Sequence, residues 1–191
     1  MHRKLMILTL LAALNATAAD GQQTSPEGTL SSVATLSRVL HLDASQLSKL
    51  PTREQLEGGP VKLAPAPPLS HLQVYAVGSS NQGWEYPSAN TYATALDHGG
   101  PVLLVVILEI GYGYSRFAKM NGGQLPSSAN YLDEALCWNA YGQLAYCSAG
   151  QTVAGWLRYY DVSGYESGSF TYQNTSTNSP WNTMYTQISI R

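Results

Sequence analysis

The stretch Val102-Leu-Leu-Val-Val-Ile-Leu-Glu-Ile110, opened by Pro101 and closed by Gly111 and Gly113, restricts the fold more than any other part of this chain. It is too short to cross a membrane as a helix, which takes roughly 20 apolar residues. Its valines and isoleucines favour extended backbone. No polar residue alternates with the apolar ones, so the run reads as a strand covered on both faces. A chain built around such a strand needs an apolar layer on each side of it.

The neighbouring sequence supplies further strands. His71-Leu-Gln-Val-Tyr-Ala-Val-Gly alternates, with Leu72, Val74 and Ala76 expected on one face. Phe117-Ala-Lys-Met followed by Asn121-Gly122-Gly123 is the strongest hairpin signal, because Asn-Gly tolerates the positive φ angles of a type I′ turn. From Val153 to Val162, Gly155, Leu157, Tyr159 and Asp161 fall on one side and Trp156, Arg158 and Tyr160 on the other. Ser169-Phe-Thr-Tyr-Gln-Asn-Thr and Tyr185-Thr-Gln-Ile-Ser-Ile complete the set. About six or seven short strands with closely spaced turn signals predict an all-β antiparallel sandwich, a barrel being the competing architecture. After residue 70 nothing has the length of an amphipathic helix; a short turn is expected at Ala129 to Leu136, and the pattern argues against a doubly wound α/β fold.

All nineteen aromatic residues lie between Tyr75 and Tyr185, which divides the chain sharply. Residues 1–18 read as a signal peptide: Met-His-Arg-Lys, an apolar run over 5–14, and small residues before a cleavage point after Ala18. Residues 19–69 form a low-aromatic arm, partly helical or mobile. In it Leu30, Val33, Leu36 and Leu40 recur at helical spacing, and Asp43 is placed to cap a turn carrying Leu47 and Leu50 before Pro51. The prolines at 65, 67 and 68 make the end of the arm a stiff linker. A pro-segment, a spacer and an unimportant extension are the three readings of the arm. Residues 70–191 form the tyrosine-rich β domain, with no membrane span once the leader is removed. Outside the reducing cytosol, Cys137 and Cys147 read as a disulfide across a hairpin turning at Tyr141-Gly142-Gln143.

Ten basic against twelve acidic residues exclude an electrostatic nucleic-acid binder. Histidine is scarce: the β domain holds His71 and His98, too few for a three-histidine zinc site, and neither a metal nor a cofactor is expected. Asp97-His98-Gly99-Gly100 looks the most chemical; its plainer reading is an Asp-capped turn ahead of the buried strand. No Gly-x-Ser-x-Gly elbow supports a serine hydrolase. Glu109, Asp133, Glu134, Asp161 and Glu166 are the carboxylates a glycosidase would draw on, and Asp133-Glu134 is a weak calcium pair. Glu109 stands out because it interrupts the apolar strand, where a carboxylate must be paired; Arg116 and Arg158 are its expected partners. Thirteen tyrosines against two phenylalanines suit surfaces with one wet end, and Tyr112, Tyr114, Tyr165 and Trp181 fall beside predicted turns as candidate ligand-stacking rings. The same rings also suit a core short of Phe and Leu. Asn174-Thr-Ser is an N-glycosylation sequon.

Ser163-Gly-Tyr-Glu-Ser-Gly-Ser-Phe-Thr-Tyr-Gln-Asn-Thr-Ser-Thr-Asn-Ser-Pro-Trp-Asn-Thr-Met184, with Asp97-His-Gly-Gly, Gly111-Tyr-Gly and Met120-Asn-Gly, resembles the YolA-like family of secreted bacterial proteins of unknown function. The resemblance covers about residues 70–191, leaves out the arm and does not account for the cysteine pair. It implies an exported bacterial domain and assigns no activity, so no catalytic residue is carried across.

The reading that follows is a secreted or periplasmic, non-catalytic binding protein that recognises a glycan or an extracellular protein through Tyr112, Tyr114, Tyr165 and Trp181. A carboxylate-based secreted hydrolase using Asp97, His98 or Glu109 is the first alternative. The second is a protein-interaction factor, such as an inhibitor or toxin component, working through the loops at 163–182.

Overall fold

A computed structural model describes residues 36–40, 44–57 and 66–191. The expected signal peptide, Leu30, Val33, the expected cap at Asp43 and the linker proline at 65 lie outside the described residues.

Two antiparallel sheets form the sandwich. The larger runs, edge to edge, β2 (Gly83–Glu85), β1 (His71–Ser79), β3 (Leu103–Ile110), β8 (Val153–Asp161), β6 (Asn130–Trp138) and β7 (Leu144–Tyr146). The smaller runs β10 (Thr183–Ile190), β9 (Gly168–Thr175), β4 (Phe117–Met120) and β5 (Gly123–Gln124). The described residues thus form ten strands, more than the six or seven expected. The surplus comes from β2, β5 and β7, each too short for an alternating pattern to register. The hairpin between β4 and β5 turns on Asn121 and Gly122 at φ 52° and 80°, as the Asn-Gly pair requires.

Two expectations need correction. The segment 129–136 is not a turn: past a brief 3₁₀ stretch it enters β6, because pairing with β8 along its length decides its conformation. In β1 the pairing with β3 slips between Val74 and Ala76, a bulge that puts Val77, not Ala76, on the side of Leu72 and Val74.

All eight residues of β3 are buried. On the inner side Leu103, Val105 and Ile107 pack with Tyr160, Phe170, Tyr172, Ile188 and Ile190 between the sheets. On the outer side Val106, Leu108 and Ile110 join Tyr75, Leu136, Leu157 and Tyr159 in a second apolar cluster. Leu40 and Leu50 of the arm belong to that cluster, and Leu56 packs against it. The second cover of the central strand is therefore the arm itself. Its helices are short: α1 (Ala44–Leu47) stops before Pro51, as expected, and α2 (Arg53–Glu57) opens on a capping box in which Gln55 and Thr52 exchange hydrogen bonds. Residues 36–40 are not helical; they are bent backbone held down by Leu40.

Cys137 and Cys147 form a disulfide that ties β6 to the chain just past β7. The turn between them carries Gly142, whose carbonyl accepts from the Arg53 N–H at 2.9 Å. Among the described residues no helix is long and apolar enough to cross a membrane.

Candidate functional site

The side chains that looked most catalytic are interior groups. Glu109 is fully buried and faces the space between the sheets. Arg158 binds it with two prongs, Nε to Oε2 at 3.0 Å and Nη2 to Oε1 at 3.1 Å, and the Tyr172 hydroxyl donates to Oε2 at 2.9 Å. Arg158 also reaches Asp133, lies 4.8 Å over the Trp156 ring, and is held well into its charged form: burial opposes the charge but Glu109 overcomes it. Burial, with Glu109 beside it, pushes the Tyr172 phenol far up. Both carboxylate oxygens of Glu109 are already engaged, away from solvent. Arg116, the other expected partner, pairs with Asp133 instead at 3.4 Å.

His98 is fully buried as well. Its Nδ1 lies 3.2 Å from Ser79 Oγ and its Nε2 3.0 Å from Glu85 Oε2. Glu85 in turn accepts from the N–H groups of Ala95 and Leu96 at 2.8 and 2.9 Å. Burial resists its charge, yet these donors together with His98 hold the Glu85 carboxyl below the usual range. A serine, a histidine and a carboxylate in line invite comparison with a hydrolytic triad. Ser79 is, however, as fully buried as His98, so no substrate can meet its hydroxyl. The network pins the 94–100 loop. Gly100 turns that loop at φ 116°, where a Cβ would stand 2.6 Å from Asn81 Oδ1.

The remaining carboxylates disperse. Asp133 points inward to Arg158 while Glu134, next in the strand, bonds Tyr159 on the outer side, so the two cannot share a calcium ion. Asp161 binds Arg38, whose charge it favours. Asp97 and Glu166 do both line one polar cavity of about 870 Å³, with Asn81, Ser167 and Arg191. The sequon is closed: Asn174 is fully buried in β9, its Oδ1 accepting the Thr175 N–H.

The aromatic candidates separate more usefully. Tyr112 is half-buried, edge-on to Trp156 with centroids 4.9 Å apart, its hydroxyl donating to the Val153 carbonyl. Tyr165 lies in the loop before β9, whereas Tyr114 and Trp181 lie at the far end of that eight-residue strand. Strand rise puts the two ends about 25 Å apart. Tyr114 donates its N–H to the Thr175 carbonyl and is 67% exposed; Trp181, just before β10, is 62% exposed.

Two rings that the sequence reading passed over join that end. The register Tyr185↔Gln173↔Phe117 lines up β10, β9 and β4, and all three side chains stand on the side away from the core. Two inter-strand spacings separate the rings, about 10 Å. The Tyr185 hydroxyl donates to Gln187 Oε1 at 2.5 Å, two residues along the same face. Beyond this row the face carries Thr183, Gln187 and Ser189 on β10, Ser169, Thr171 and Thr175 on β9, and the cation Lys119 on β4. The period of two in Tyr185-Thr-Gln-Ile-Ser-Ile could have disclosed Tyr185, since Ile188 and Ile190 must point inward.

A family model described as a domain of unknown function, DUF4879, matches residues 64–190. The chain belongs to that family. The DUF4879 region takes in both sheets and the aromatic row, and leaves the arm residues 36–57 outside it. No curated protein matches the chain.

Proposed function

We propose that this DUF4879 protein is exported under its signal peptide, as the YolA-like resemblance implies, and binds glycan or other cell-surface material without catalysis. The binding surface is the outer face of the four-stranded sheet at the end carrying Tyr185, Phe117, Tyr114 and Trp181. The single observation that carries this reading is the cross-strand row Tyr185–Gln173–Phe117: flat rings with an amide between them suit the alternating apolar and hydroxyl character of a sugar. Trp181 supports it. Its backbone sits at φ 59° although its side chain is mostly in water, a conformation that costs about 1–3 kcal/mol and gains little burial in return.

The test is a glycan array with the mature protein, followed by binding isotherms on any hit for Tyr185→Ala and Trp181→Ala. A stacked ring contributes about 0.5–1.5 kcal/mol, so each variant should weaken binding about 2- to 10-fold with the circular dichroism spectrum unchanged. Affinity indifferent to both substitutions, or no binding to any glycan or surface extract, overturns the reading.

The hydrolase reading keeps one observation in its favour, the shared cavity of Asp97 and Glu166. It rests on Asp97 and Glu166, since His98 and Glu109 are buried and hydrogen-bonded within the fold. It calls for hydrolysis of a glycan that Asp97→Asn and Glu166→Gln each abolish.

A further inference from the structure

The arm segment 36–40 is held in a way that resembles a bound peptide more than a strand or helix of the fold. Three side chains of the DUF4879 region donate hydrogen bonds to three of its backbone carbonyls. Trp84 Nε1 donates to Ser37 O at 3.2 Å, the Tyr131 hydroxyl to Arg38 O at 2.6 Å, and the Tyr146 hydroxyl to Leu40 O at 3.3 Å. Such bonds ask nothing of the peptide's side chains, because every peptide offers the same carbonyls. Selectivity comes from two further contacts. Arg38 pairs with Asp161 and lies 4.8 Å over the Tyr131 ring, and Leu40, 1% exposed, belongs to the outer apolar cluster that also holds Tyr75, Leu136 and Tyr159.

The reading groups Trp84, Tyr131, Tyr146 and Asp161, and the floor residues Tyr75, Leu136 and Tyr159, lie within the family match at 64–190, whereas the segment they read lies outside it. We propose that the outer face of the six-stranded sheet is a peptide-binding groove of the DUF4879 domain. It takes a short, bent, non-helical chain with an arginine two residues ahead of a large aliphatic residue, and in this protein residues 36–40 fill it in cis. The partner class is an extracellular polypeptide with an exposed Arg-x-Leu-type stretch. This site lies on the sheet opposite the aromatic row and stands or falls independently of glycan binding.

The experiment uses the full chain carrying a specific protease site introduced between residues 57 and 66. After cleavage, a fluorescently labelled synthetic peptide spanning residues 36–57 is titrated in and followed by anisotropy. The labelled peptide should exchange for the resident segment and bind saturably. Peptides with Arg38→Ala or Leu40→Ala should bind at least about tenfold more weakly. In parallel, uncleaved chain carrying Leu40→Asp, whose segment is expelled, should bind the wild-type peptide in trans where the uncleaved wild type does not. Overturning results are retention of the cut segment until global unfolding with no trans binding to the Leu40→Asp chain, or binding equal for the wild-type and alanine peptides. Either would make the arm an ordinary part of the core.

Discussion

Replacing Arg158 with methionine removes the counter-charge from Glu109 while keeping most of the volume. Glu109 is fully buried and takes both prongs of the guanidinium, at 3.0 and 3.1 Å; Tyr172 remains as its other donor. Stripping one partner from a buried pair costs about 3–5 kcal/mol, because the remaining charge has lost its compensation. For a domain of this size each kcal/mol moves Tm by about 2–4 °C, so the variant should melt roughly 6–20 °C below wild type at neutral pH. Urea unfolding should show the same loss as a lower midpoint with an unchanged slope. Adding Glu109→Gln should recover most of the loss, since the charge is gone and the amide oxygen still accepts from Tyr172. A variant within about 0.5 kcal/mol of wild type, or a double variant no more stable than Arg158→Met, would refute the argument that this pair is a structural unit.

Three further outcomes follow from the same physical reasoning. Glu85 has a depressed pKa in the fold, so its contribution is present above its ordinary value of 4.5 and is lost as pH falls through the folded value; acid melts should steepen below that pH for wild type and less for Glu85→Gln. Burial pushes the Tyr131 phenol up to about 12 from 10, so the fold should lose stability as pH climbs through that interval, and Tyr131→Phe should remove this part of the alkaline slope in chemical denaturation. Reducing the disulfide, which closes a loop between positions ten apart, should cost somewhat under about 3 kcal/mol, with amide exchange rising first around Gly142 and Arg53.

Much of the fold was legible because strands write their faces into the chain at a period of two. The alternation over 153–162 placed Arg158 and Tyr160 opposite Leu157 and Tyr159, and the structure keeps that division for Tyr160 against Leu157 and Tyr159, whereas Ala154, expected on the side of Tyr160, packs with Leu157 and Tyr159. Asn121-Gly122 located a turn because few other pairs accept its backbone angles. The cysteine spacing located a hairpin because two sulfurs ten positions apart meet only if the chain folds back. The candidate site was less legible. Tyr114 and Trp181 were recognised as exposed rings, but Tyr112 turned to Trp156, and Phe117 and Tyr185 became neighbours of Gln173 only through pairing across strands that are distant in sequence.

From residue types and spacing alone it followed that this chain folds as antiparallel β-structure, that its central strand is covered on both faces, and that Glu109 must have a partner there. Which groups do the covering and pairing was settled by the assembled sheets. The arm closes the outer face, Arg158 claims Glu109 from the adjacent strand, and His98 is sealed between Ser79 and Glu85. Local sequence dictates which way a side chain points, because the backbone repeat is short-ranged; what it meets there depends on strand order and register, which are chosen by burying the most apolar surface over the whole molecule.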